Sequence, residues 1–123
     1  MTAQQVYSAA LALLFETEGS AGDYNIYALP LMNLLLPELF DVNNSILKAE
    51  GKIPLTDIPV LSSLSENIPY DEKLLRSSLP YGLAAKLVYD DNDMEKVGYF
   101  HQLYVNSVNS FLKLQPEMVV DIY

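Results

Sequence analysis

The most regular feature of the sequence lies between Asp93 and Leu114, where apolar residues recur every three or four positions. This spacing places them on one face of an α-helix and leaves polar residues on the opposite face. An amphipathic helix must bury its apolar face against other elements, so we expect a helical bundle. The apolar face comprises Met94, Val97, His101, Tyr104, Val108, Phe111 and Leu112.

Three earlier segments also show helical spacing. The first runs from about Thr2 to Glu16, the second ends near Lys48, and the third runs from Asp71 to about Tyr89. The sequence therefore predicts a mainly α fold, a bundle of about four helices in one domain over residues 1–123.

The start of the second helix is open because Pro30 and Pro37 both fall within its apolar pattern. Each proline lacks an amide donor and clashes with the preceding turn. The helix either begins near Pro30 or bends there, and Pro37 predicts a kink. Asp23, at the end of the preceding loop, is the candidate N-cap.

The segment from Gly51 to Pro69 is apolar but rich in proline, so it is not predicted to form a helix. It is expected to form a hairpin or extended strap over the core, or an arm that meets a neighbouring subunit. Met118 to Tyr123 is expected to be a short extended tail. The candidate interface residues in the two segments are Ile53, Leu55, Ile58, Val60, Leu61, Val119, Val120, Ile122 and Tyr123.

Charge and composition argue against several classes of function. Seven basic and sixteen acidic residues give a formal net charge of −9, which disfavours binding to nucleic acid and to anionic membranes. The absence of cysteine excludes thiol nucleophiles and thiolate metal sites. No basic residue precedes the apolar Val6–Phe15 segment, and no apolar run approaches bilayer length, so we expect a cytosolic protein.

Three aspartates and a glutamate between Asp90 and Glu95 raise the possibility of a calcium loop. Such a loop needs glycine at its sixth position and glutamate at its twelfth. Counting from Asp91, the sixth residue is Lys96 and the twelfth is Gln102. The favoured interpretation is structural: Asp90 and Asp91 end one helix, and Asn92 or Asp91 caps the next.

Catalytic motifs are not apparent. The single histidine, His101, falls on the apolar face of the last helix, which favours a core or interface residue hydrogen-bonded to tyrosine or serine over a pH sensor. Neither GxxxxGK nor HExxH occurs, and most acidic residues fall at predicted helix ends or loops. We therefore expect neither enzymatic activity nor a cofactor or metal.

Small residues within the third helix favour close packing between helices. Gly82, Ala84 and Ala85 would let two helices approach closely, while Leu83 and Leu87 fill the seam. Pro80 is tolerated only in a first turn, so a kink or an offset start is expected around Ser78 to Pro80.

Three segments resemble small helical head–tail connector (adaptor, or neck) proteins of tailed bacteriophages and prophages. They are DYNIYALPLMNLLLPELFDVNN from Asp23, LPYGLAAKLVYDDND from Leu79, and KVGYFHQLYVNSVNSF from Lys96. The second contains the L-x-x-G-L-A-A-x-L-like run of that family, and the third has its aromatic-x-x-x-Tyr pattern at Phe100 and Tyr104.

The resemblance implies a structural subunit of a homo-oligomeric ring, usually a dodecamer, beneath the portal. Its partners would be the portal and the tail or neck proteins, and DNA would pass without specific binding. It also implies a virion component made in the bacterial cytoplasm, without enzymatic activity or cofactor. Two alternatives remain: an acidic regulatory or DNA-mimic protein that binds another protein, and a small hydrolase or ligand-binding bundle.

Overall fold

The computed structural model describes residues 1–113 and is mainly helical, which confirms the predicted fold class. No strand occurs in this range, and only an isolated antiparallel bridge joins Thr2 and Asn67. The predicted tail, with Val119, Val120, Ile122 and Tyr123, lies outside the described residues. The helices are α1 (Ala3–Leu13), α2 (Tyr24–Ala49), α3 (Glu72–Leu75), α4 (Ser78–Val88) and α5 (Met94–Lys113), with a 3-10 turn at Tyr89–Asp91.

Helix α1 begins at a capping box. The Thr2 hydroxyl accepts a hydrogen bond from the Gln5 amide at 3.2 Å, and Gln5 Oε1 accepts one from the Thr2 amide at 2.9 Å. The predicted end at Glu16 is wrong, because α1 ends at Leu13. Phe15 has a φ of 57°, a left-handed conformation that cannot continue a right-handed helix.

Helix α2 begins at Tyr24 and runs through both prolines, so the alternative of a start near Pro30 is wrong. Pro30 and Pro37 are exposed, while the opposite side of α2 is buried in the core. Each proline ring therefore meets the preceding turn on the exposed side of α2, opposite the face that packs in the core. Asp23 occupies the predicted N-cap position, but its side chain makes no capping hydrogen bond.

The single helix predicted for residues 71–89 is two helices. Ser77, with φ −134° and ψ −80°, interrupts the helical backbone between α3 and α4. Because α4 starts at Ser78, Pro80 falls in the first turn, where its missing amide costs no hydrogen bond. This is the offset start that the sequence predicts around Pro80.

Helix α4 lies at the centre of the bundle and contacts each of the other four helices. At Gly82, side chains from two of these helices lie close to α4. A Cβ atom at this position would lie 2.9 Å from Leu35 Cδ2 of α2 and 2.9 Å from Tyr104 Cδ1 of α5. Such distances are shorter than van der Waals contact, so a side chain at this position would force Leu35 or Tyr104 to shift.

Residues 51–69 lie along α2 as a non-helical strap held by two asparagines. Asn44 donates to the Leu55 carbonyl at 3.0 Å and accepts from the Leu55 amide at 2.9 Å. Asn33 forms the same pair with Leu61, at 2.9 and 2.8 Å. A projecting arm is thus not confirmed, since side-chain amides hold the strap backbone against α2.

The strap then joins the N-terminus of the chain. The Ala3 and Gln4 amides donate to the carbonyls of Glu66 and Leu64 at 2.9 and 2.7 Å. The Ile68 amide donates to the Met1 carbonyl at 3.0 Å. The first two bonds satisfy amides in the first turn of α1 that have no partner within the helix.

The candidate interface residues on the strap fall into two groups. Ile53, Ile58 and Val60 are exposed, whereas Leu55 is half-buried. Leu61 is only 4% exposed and packs in the core of the chain itself. Leu61 is therefore not accessible to a neighbouring subunit in this structure.

We predict that Gly82→Ala lowers the free energy of unfolding by about 1–2 kcal/mol, because the overpacking cost exceeds the gain in helix propensity. The control is Gly98→Ala on α5, where a Cβ meets nothing within 4 Å. That substitution should raise stability by about 0.5–1 kcal/mol. Urea unfolding of both variants checks the pair, and equal effects would contradict the close contact at Gly82.

We also predict that Leu61→Asp destabilises the fold by more than about 3 kcal/mol, because it places a charge in the core. Ile58→Asp, on the same strap, should cost about 1 kcal/mol or less, since Ile58 is already exposed. Circular dichroism during thermal unfolding measures both. Similar midpoints for the two variants would show that Leu61 is not a core residue.

Candidate interaction surface

An apolar groove of about 680 Å³ opens between the end of α1 and the first half of α5. We call it the α1/α5 groove. Its walls are mainly aliphatic and aromatic, and two charged residues at the start of α5 border it. The residues that line it are Ala12, Leu13, Leu14, Phe15, Glu95, Lys96, Tyr99, Phe100 and Leu103.

Phe15 stands at the edge of this groove because of how α1 ends. The Glu16 amide donates to the Leu11 carbonyl at 2.9 Å, and the Phe15 amide donates to the Ala12 carbonyl at 3.1 Å. This is a Schellman motif, in which the left-handed residue is usually glycine. Here the residue is phenylalanine, with φ 57° and a side chain that is 96% exposed.

A bulky residue in the left-handed region carries a steric cost of about 1–2 kcal/mol. An exposed Phe15 side chain recovers none of this cost by burial within the chain. Residues held in sparsely populated backbone conformations cluster at functional sites. The conformation at Phe15 therefore marks the groove as a candidate interaction surface.

The facing wall of the groove is aromatic. Tyr99 and Phe100 of α5 pack edge to face, with ring centroids 5.2 Å apart. Phe100 is buried, whereas Tyr99 is 62% exposed. Tyrosine combines an apolar ring with a polar hydroxyl, which suits it to protein interfaces.

Acidic residues gather around Tyr24 at the start of α2. Glu16, Asp23, Asp90 and Asp91 line a small polar depression, which we call the acidic corner. The Tyr24 hydroxyl donates a hydrogen bond to the Asp91 carboxylate. Burial, followed by this hydrogen bond and the nearby negative charges, raises the pKa of Tyr24 well above its usual value.

The acidic corner gives no support to a calcium site. Among residues 1–113, no group of three or more histidine, aspartate or glutamate side chains is placed to hold a metal ion. The cap of α5 is Asp93, whose Oδ1 accepts from the Lys96 amide at 3.3 Å, rather than Asn92 or Asp91. Asn92 instead adopts the left-handed conformation that ends the 3-10 turn.

The sequence prediction for His101 as a core residue is wrong. His101 is exposed, and within the described residues its side chain makes no hydrogen bond to tyrosine or serine. Its ring centroid lies 6.2 Å from that of Tyr104. The buried side chains of α5 are instead those of Phe100 and Tyr104. A role for His101 in an interface stays a prediction.

Tyr104 links three helices by polar contacts. Its hydroxyl donates to Glu38 Oε1 of α2 at 2.8 Å, and Glu38 Oε2 lies 3.9 Å from Lys86 Nζ of α4. Burial and the Glu38 carboxylate raise the pKa of Tyr104. Its hydroxyl is therefore a hydrogen-bond donor at neutral pH and not a base.

Sequence reasoning places the interface on the strap and the tail and misses the groove. The missed residues are Phe15 and Tyr99, together with the apolar end of α1. Periodicity assigns Phe15 to the first helix, because it does not reveal a left-handed residue at a helix end. Only the backbone geometry shows that the residue at this helix end is left-handed although it is not glycine.

Comparison with known proteins gave no match: no protein-family model fits the chain, and no curated protein or solved structure is similar enough to be matched. Within residues 1–113, no helix combines the length and the apolar character needed to cross a membrane. The function of the protein is therefore inferred from its surface geometry and from the resemblance given by the sequence.

We predict that Phe15→Gly raises the free energy of unfolding by about 1 kcal/mol, because glycine adopts the left-handed conformation without steric cost and little burial is lost. Phe15→Ala is the control, since it removes the same ring but keeps the cost. Urea unfolding measures both variants. A glycine variant no more stable than the alanine variant would show that the backbone at Phe15 is not strained.

Proposed function

We propose that this protein is a structural subunit of a head–tail connector ring in a tailed bacteriophage or prophage. In this role it joins the portal to the tail and extends the DNA channel. The protein is made in the bacterial cytoplasm, is incorporated in the neck of the virion, and works without a cofactor or enzymatic activity. The observation that carries the proposal is the open, apolar α1/α5 groove with Phe15 held exposed at its edge.

The groove suits a binding role better than a catalytic one. A contiguous exposed apolar surface marks a protein-binding site when it is bordered by polar residues. Glu95 and Lys96 form such a border here. Aromatic residues such as Phe15 and Tyr99 are enriched at the centres of interfaces, where their burial contributes most of the binding energy.

A connector subunit needs one surface for its neighbours in the ring, where a head-to-tail interface joins unlike patches, and another for the portal or tail proteins. The chain offers a second exposed apolar surface on the strap, formed by Ile53, Ile58 and Val60. It belongs to the segment that lies on α2, whereas the groove belongs to α1 and α5. Two such surfaces are compatible with a ring and support its proposal.

The net charge of −9 also supports the role. Affinity for DNA arises mainly from lysine and arginine contacts to phosphates. An acidic subunit can surround a DNA channel without holding the duplex. The same charge supports a second candidate, an acidic regulatory or DNA-mimic protein, for which the acidic corner would be the recognition surface.

We predict that the purified protein assembles into a ring with the portal protein of the same phage, and that Phe15→Asp prevents assembly by placing a charge in the groove. The control is Asn109→Asp, which adds the same charge at an exposed position of α5 outside the groove. Light scattering gives the mass of each mixture, and circular dichroism shows whether each variant is folded.

Two results would contradict the connector role. One is a protein that stays monomeric with portal, neck and tail components at high concentration. The other is unchanged assembly of a folded Phe15→Asp variant, which would exclude the groove as the assembly surface. Capture of a DNA-binding protein that DNA displaces would instead favour the DNA-mimic candidate.

A further inference from the structure

We propose that the α1/α5 groove and the acidic corner together form one docking surface for a basic, apolar segment of another protein. This inference rests on the proposed function in that it names the chemistry of the partner segment. Leucine-, isoleucine- or phenylalanine-like side chains of the segment fill the groove, and its lysine or arginine side chains face the acidic corner.

The two parts of the surface are joined through the chain itself. Phe15 at the edge of the groove is followed directly by Glu16 of the acidic corner. On the other wall, the 3-10 turn that carries Asp90 and Asp91 leads into α5, whose Glu95 lines the groove. Residues close in the chain thus line both parts at each wall, which brings the two parts within the length of one bound segment.

The negative charge around the groove favours a partner segment with positive charge. The groove and the acidic corner together carry five carboxylates, and Lys96 is the basic residue that lines the groove. Lys96 Nζ lies 3.8 Å from Asp93 Oδ2, so part of its charge is already compensated. Attraction between such a surface and a basic segment extends over about 8 Å at physiological ionic strength and fixes the orientation of the bound segment.

The same charge argues against two other occupants. A second copy of this chain, docked groove to groove, would bring two acidic corners together, and like charges across an interface oppose binding. The strap of a second copy is not complementary either, because it carries Asp57 and Glu66 against one basic residue, Lys52. The chain's own residues 114–123 contain Glu117 and Asp121 but no lysine or arginine. A separate protein with basic residues beside apolar anchors is the complementary occupant.

The test uses the full chain and two labelled synthetic helical peptides that share one leucine face. The polar face of the first is lysine, and that of the second is glutamate. Fluorescence anisotropy should show binding of the lysine peptide, weakening as salt is raised, and no binding of the glutamate peptide. Binding of both peptides alike would overturn the selection by charge.

Matched variants separate this surface from the overall acidity of the chain. Asp90→Asn with Glu95→Gln removes two charges from the docking surface. Asp41→Asn with Asp57→Asn removes two charges from exposed positions outside it. The first pair should weaken binding of the lysine peptide about tenfold and the second should leave it nearly unchanged. Equal weakening would show unspecific attraction and overturn the proposal.

The apolar part is tested with Phe15→Ser and Tyr99→Ser, which leave the charge unchanged. Each should weaken binding of the lysine peptide about tenfold, because each removes an aromatic anchor. Unchanged binding in both would overturn the groove as the docking site. Peptide binding without ring assembly would contradict the connector role alone, whereas assembly that depends on Phe15 without peptide binding would contradict this inference alone.

Discussion

The close approach of α2 and α5 to Gly82 determines how the rest of the bundle is arranged. At this point Leu35 and Tyr104 both contact the backbone of α4, and no side chain separates them from it. Tyr104 is thereby positioned so that its hydroxyl reaches Glu38, which in turn lies beside Lys86. A packing contact between backbone and ring thus also sets the polar contacts that connect the three helices.

The path of α5 decides which of its residues are exposed. With Phe100 and Tyr104 turned inward, Tyr99 remains on the surface facing the end of α1. The groove therefore results from two separate events: the fixed rotation of α5 and the early end of α1 at Leu13. The first event depends on burial of Phe100 and Tyr104, and the second on the left-handed backbone of Phe15.

The sequence predicted the helical class because apolar periodicity is a property of short segments. It also predicted the role of small residues near Gly82 and the offset at Pro80. It left open whether α2 starts near Pro30 or passes it, because residue types alone do not show whether burial of one long face outweighs a local clash. It predicted one helix with a kink or an offset start around Ser78 to Pro80, whereas the backbone of Ser77, which residue type does not reveal, divides the segment fully into α3 and α4. The candidate surface was missed for a similar reason: Phe15 is apolar and continues a helical pattern, yet its φ is positive.

The asparagine pairs that hold the strap make its path independent of most of its side chains. Asn33 and Asn44 bind the main chain at Leu61 and Leu55, about three helical turns apart on α2. Any residue other than proline supplies the same amide and carbonyl at these two points. The outward positions between them, such as Ile58 and Val60, can therefore vary while the trace is preserved. Related chains could in this way acquire new recognition specificities on an unchanged scaffold, as antibody loops do on a fixed framework.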